Sequence, residues 1–127
     1  MKTPRTSYNR SIQPRKQRKL AYAAPLHIRQ KFMSCNLSKE LRAKIKKRNL
    51  QLRKGDEVKV MRGQFRGKTG TVNKVLLQKT RAHVEGVENL KKDGSKAPYP
   101  IHPSNLMIIK LIVEDKKRIK AKKETKK

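Results

Sequence analysis

Acidic residues, aromatics, cysteine and long apolar runs are all scarce in this chain, and each shortage closes a route. There is no Trp, aromatic residues make up 4% of the sequence, and 9 Asp plus Glu are the whole acidic complement of 127 residues. A single cysteine, Cys35, excludes an internal disulfide. His27, His83 and His102 are scattered, so no metal-ligand spacing exists and neither metal nor cofactor is expected. The longest apolar run, Leu106 to Val113, is interrupted by Lys110 and is far too short to span a bilayer. Met1 to Arg18 is polar and basic, without the apolar core of a secretory signal, so the sequon Asn36-Leu37-Ser38 carries no weight. A soluble, intracellular protein is expected.

What the chain has in excess is positive charge. Lys plus Arg number 36, for a net charge of +27, which repels itself unless a polyanion neutralises it. The anionic membrane leaflet would require a basic amphipathic helix with a bulky apolar face, and none is visible. Nucleic acid is the remaining large polyanion. The charge is uneven: residues 1–54 hold 17 cations against Glu40 alone, residues 55–113 hold 11 against 5, and residues 114–127 hold 8 against 3. The pattern describes one small folded module with cationic extensions. We expect a basic N-terminal arm over residues 1–24, a linker and short helix over 25–54, the folded module over 55–113 and a charged C-terminal tail over 114–127.

The stretch Gly55 to Val75 organises the module. Val58 and Val60 alternate with Glu57, Lys59 and Met61, the signature of a half-buried strand, and Thr69 to Val75 is a second β-branched run. Arg62 to Lys68 reads as the hairpin loop between them, with Gly63 and Gly67 free to take positive φ. Gly70, inside the second run, marks a bulge or a close approach of another backbone. Lys59, Arg62, Arg66, Lys68 and Lys74 face only Asp56 and Glu57, so the hairpin is a platform for phosphate.

This stretch, Gly-Asp-x-Val-x-Val followed by Gly-x-x-x-Gly-Lys-x-Gly-x-Val-x-x-Val, resembles a KOW motif. Leu37-Ser38-Lys39-Glu40-Leu41-Arg42 before it, and Val84-Glu85-Gly86-Val87 and Pro100-Ile101-His102-Pro103-Ser104-Asn105 after it, extend the likeness over roughly residues 20 to 115. Together they resemble the archaeal and eukaryotic form of the universal large-subunit ribosomal protein twenty-four, called twenty-six in eukaryotes. The resemblance implies an SH3-like barrel and a structural, non-enzymatic role. It also implies large-subunit rRNA, in its 5′ region near the nascent-peptide exit, and neighbouring large-subunit ribosomal proteins as partners. Early subunit assembly would be its setting, with cytoplasmic location on the ribosome and nucleolar transit in a eukaryote.

The rest of the chain fills in around the hairpin. Residues 1 to 19 cannot bury enough to order themselves alone and are expected to fold onto RNA, with Tyr8 stacking. A short helix is expected from Pro14 to about Ala23, and an extended segment over Leu26 to Met33 that packs Leu26, Ile28 or Phe32 on the barrel. Ser38 or Asn36 caps a helix reaching about Lys47, with Leu37, Leu41 and Ile45 as its apolar stripe and Lys39, Arg42 and Lys46 opposite. Later strands are expected at Arg81 to Val84, Tyr99 to His102 and Leu106 to Leu111, with a turn-rich basic loop over Lys91 to Lys96. The fold class is therefore mainly β, about five strands in a small SH3-like barrel, preceded by a short α-helical segment and flanked by basic extensions.

Enzymatic chemistry finds no support. Gly63 to Thr69 approaches a P-loop, but three residues separate its glycines where four are needed, and Gly70-Thr71-Val72 continues as a strand where a helix must follow. His102 lies near Ser104, yet no carboxylate is placed to orient it, and a structural His between prolines fits better. Cys35 is a small apolar filler and His83 a strand residue. Phe65, at the loop tip, either stacks on RNA or folds back over the barrel mouth. The RNA-binding candidates are Arg15, Lys16, Arg18 and Lys19 in the arm, and Arg42, Lys46, Arg48, Arg53 and Lys54 ahead of the hairpin. On the hairpin they are Lys59, Arg62, Phe65, Arg66, Lys68 and Lys74. A membrane and a small-molecule substrate are excluded. A KOW-type transcription elongation factor and a free-standing RNA chaperone are the rival readings. The first lacks room for the α/β domain such factors carry, and the second predicts no preferred site.

Overall fold

Apolar residues alternate with polar ones along each strand, and the sheet curls to bury the apolar side. The computed structural model describes residues 10–112 and Arg118. Its elements are α1 (Pro14–Ala23), α2 (Leu26–Phe32), β1 (Ser34–Leu37), α3 (Lys39–Ile45), β2 (Asn49–Gln51), β3 (Glu57–Val60), β4 (Thr69–Leu76), β5 (Arg81–Leu90), β6 (Lys96–Ile101) and β7 (Leu106–Lys110), with a 3₁₀ turn at Pro103–Asn105. The strands form one sheet in the order β2-β1-β7-β3-β4-β5-β6, in which only β1 and β7 run parallel. The curled sheet is a half-barrel of the SH3-like kind. Leu37, Val58, Val60, Leu106 and Ile108 form the centre of its core, each at most 1% exposed. The expected stacking of Tyr8 and the tail beyond Val113, Arg118 excepted, fall outside the described residues.

Several expectations hold. Pro14 opens α1 at the first helical position, where its missing N–H costs no bond. Ser38 caps α3, its Oγ accepting from Leu41 N at 3.3 Å. The helix ends at Ile45, short of Lys47, because Lys46 turns left-handed (φ 54°) and its N–H closes on Arg42 O. Gly70 is a close approach: a Cβ there would stand 2.4 Å from the Glu85 carbonyl oxygen on the neighbouring strand. Cys35 is buried, its thiol donating to Leu106 O at 2.8 Å, and burial pushes its pKa up to about 12.

Other expectations are corrected. Residues 26–32 are helical, not extended, and Leu26 and Phe32 stay 56% and 36% exposed rather than packing on the barrel. The reason is Arg29. Its Nε donates to Ala24 O at 2.8 Å, its Nη2 to Tyr22 O and its Nη1 to Gln78 O at 2.7 Å. One guanidinium thus satisfies the orphan carbonyls after α1 and fastens both helices to the β4–β5 turn. Leu20, Ala24 and Met33 supply the buried anchors instead.

Strand number is also corrected, from about five to seven. β1 and β2 lie where only a linker and a helix were expected, too short to show a period. β5 continues past Val84 to Leu90, because an irregularity between His83 and Glu88 shifts its inward phase from Val84 to Val87. Strict alternation cannot reveal a strand that changes phase.

Candidate nucleic-acid interface

The β3–β4 hairpin is held rigid by its own backbone. Val60 N donates to Lys68 O and Gly67 N to Val60 O, both at 2.8 Å, while Arg66 N reaches Gly63 O at 3.1 Å. Gly63 and Gly67 take φ of 93° and 90°, as the loop requires. A distant segment braces it: Asn105 O accepts from Met61 N at 2.8 Å. The Pro103–Asn105 turn that places Asn105 is capped by His102, whose Nδ1 accepts from Ser104 N at 3.2 Å. Burial, with the charge of Arg81 adding to it, holds the His102 imidazolium below its ordinary pKa. His102 is a structural cap.

Arg62, Arg66 and Lys68 are exposed on this loop, and Arg62 and Arg66 pair with no carboxylate among the described residues. Phe65 does not join them. It is 8% exposed and packs on Tyr99 with ring centroids 5.2 Å apart, so the stacking alternative is corrected in favour of the fold-back. Burying its ring against Tyr99 outweighs leaving it in water. Lys68 Nζ lies 5.2 Å from the centre of the Phe65 ring, a cation held over an aromatic face.

The two acids counted against the hairpin are consumed elsewhere. Glu57 pairs with Lys110 at 3.1 Å. Asp56 is completely buried. It accepts from Arg53 N at 2.9 Å and from Arg118, whose Nη1 reaches Oδ1 at 2.8 Å and whose Nη2 also binds Oδ2. Arg118 Nη2 also donates to Gln51 O at 2.9 Å. Sequence reasoning missed this pair, since nothing local links residues 62 positions apart.

The remaining candidates fall into separate groups. Arg53, Lys54 and Lys74 converge on one open groove. Lys74 is exposed because a bulge between Val72 and Lys74 switches the phase of β4, turning Val75 inward and Lys74 outward. Lys59, half-buried, projects from the sheet face opposite Val58 and Val60. Arg62 lines a pocket of about 150 Å³ with Arg81, Tyr99 and His102, three residues that no sequence pattern singled out for binding. Arg15, Lys16, Arg18 and Lys19 stand exposed on α1, while Lys46 and Arg48 follow α3. Arg42 is half-buried, and its Nε finds no partner among the described residues.

No group of His, Cys, Asp and Glu among the described residues is placed to hold a metal ion. No helix among them is long and apolar enough to cross a membrane. The arrangement is a cationic surface whose chemistry suits phosphate and ribose hydroxyls.

Comparison with known proteins gives a family match and a similar relative. The model of the ribosomal protein family that comprises the eukaryotic protein L26 and its archaeal counterpart, numbered twenty-four, matches residues 11–124. The large ribosomal subunit protein uL24 of the archaeon Methanothrix thermoacetophila is 54% identical over 110 residues, covering 87% of this chain and 95% of the relative.

Proposed function

The chain belongs to the family of the eukaryotic ribosomal protein L26 and its archaeal counterpart, structural proteins rather than enzymes, and from that premise we propose that it is a constituent of the large ribosomal subunit. It binds the 5′ region of large-subunit rRNA, contacts neighbouring large-subunit proteins and supports subunit assembly. Its place is the cytoplasmic ribosome, with nucleolar transit during assembly if the source is eukaryotic. The observation that carries this reading is a rigid hairpin whose loop arginines are exposed while the adjacent acids, Asp56 and Glu57, are neutralised by Arg118 and Lys110. The positive field therefore faces outward without internal compensation. The cations of residues 1–24, and those of residues 114–127 other than Arg118, meet the RNA backbone, and most contacts go to phosphate and 2′-hydroxyl, which read RNA shape.

Sucrose-gradient fractionation of lysate, before and after a high-salt wash, tests the reading. The protein is expected to sediment with the large subunit in stoichiometric amount and to resist the wash. Remaining at the top of the gradient would transfer support to the elongation-factor or chaperone reading. On the isolated chain, Arg62→Ala with Arg66→Ala should weaken rRNA binding and flatten its salt dependence by roughly one to two units of slope, leaving the midpoint of unfolding in place. Unchanged affinity would remove the hairpin from the contact surface.

A further inference from the structure

The groove that gathers Arg53, Lys54 and Lys74 combines its cations with an apolar floor. Leu52, Val75 and Leu77 form that floor in an open concavity of about 700 Å³. Gln30, from α2, and Asn73, from the β4 bulge, stand at its edge. No acidic residue lines it. Phosphate alone needs cations and no apolar floor, and an RNA duplex could not use one, because its base faces are hidden in the stack. A single unpaired nucleotide uses every part. Its base covers the aliphatic floor, its flanking phosphates meet Lys54 and Lys74, and its polar edge meets carboxamides that offer both donors and acceptors. The bulge presents Asn73 and Lys74 to solvent at successive positions, which an unbroken strand would not do.

We propose that the groove between Gln30, Leu52 and the Asn73–Lys74 bulge is a binding site for one unpaired nucleotide of RNA. This rests on the ribosomal reading above and adds a base-binding site to it. The test uses the full chain and the large-subunit rRNA of the same source, probed with dimethyl sulfate and carbodiimide, which modify the pairing edges of unpaired bases. Wild-type protein is expected to protect at least one unpaired nucleotide. Gln30→Ala with Asn73→Ala, both exposed and neutral, should restore reactivity there and weaken binding about tenfold, the loss expected of two hydrogen bonds to the base edge, with no change in salt slope. Val75→Asp, which places charge in the floor, should also restore reactivity there, and circular dichroism of both variants checks that the fold is retained. Protections that survive both variants, or that lie only in paired stretches, overturn the groove while the ribosomal reading stands. Loss of a neighbouring ribosomal protein from assembled particles with unchanged protections would mean that a protein segment fills the groove, and overturns it too. Wild-type protein that binds the rRNA yet protects no unpaired base overturns the groove as well, whereas failure to bind the rRNA at all counts against the ribosomal reading itself.

Discussion

Arg118 sits in a segment whose composition reads as charged tail, yet its side chain is 4% exposed and reaches an Asp56 that is 0% exposed. Replacing Arg118 with Ala leaves Asp56 with the Arg53 N–H at 2.9 Å and without either guanidinium contact. Removing one partner of a buried pair costs about 3–5 kcal/mol, because the other charge stays desolvated. Water can enter the space the guanidinium leaves, which places the expectation at the lower end, about 3 kcal/mol. For a domain near 100 residues that corresponds to a fall of about 12–24 °C in the unfolding midpoint. Urea unfolding followed by far-ultraviolet circular dichroism reads the free energy, and calorimetry the midpoint. Lys110→Ala is the control. Its pair with Glu57 has a lysine 76% exposed, so the loss should stay under about 1 kcal/mol. Arg118→Met combined with Asp56→Asn should recover most of the stability, since both charges leave together. An Arg118→Ala variant within about 1 kcal/mol of wild type would refute the reasoning.

Other expectations are independent of that pair. Native protein at pH 8 should leave Cys35 unmodified by iodoacetamide until denaturant is added, because burial holds the thiol near pKa 12; rapid alkylation of folded protein would contradict its buried position. Gly70→Ala should cost about 1–3 kcal/mol in urea unfolding, since the new Cβ meets the Glu85 carbonyl at 2.4 Å, and a neutral result would mean the strands can part there. His102 resists protonation when folded but not when unfolded. Stability is therefore full above the ordinary value of 6.5 and declines as pH falls from there toward the lower folded pKa. An NMR titration of His102 at or above 6.5 would reverse that sign.

The hairpin was legible in the sequence because every signal in it is local. Val58 and Val60 alternate with Lys59, Gly63 and Gly67 punctuate the loop, and Gly70 stands inside a β-branched run; each of these features acts within a few residues. The Ser38 cap and the Pro14 start of α1 were readable for the same reason. What was misread involves partners far along the chain. Leu26 to Phe32 has a composition that suits either an extended or a helical backbone, and the choice falls to Arg29 meeting carbonyls of Tyr22, Ala24 and Gln78. Phe65 sits at a loop tip in the sequence and under Tyr99, from a distant strand, in space.

By itself the sequence determined the charge, the class of partner and the hairpin, since net charge is a sum over residues and turns depend on neighbouring φ and ψ. Tertiary structure decided how the cations are grouped. It took Asp56 and Glu57 out of the hairpin's field by pairing them with Arg118 and Lys110, and turned Phe65 inward. It also drew Arg53, Lys54 and Lys74 around one apolar floor by a one-residue change of strand phase. Burial and pairing depend on which segments meet, and that is settled only when the sheet closes.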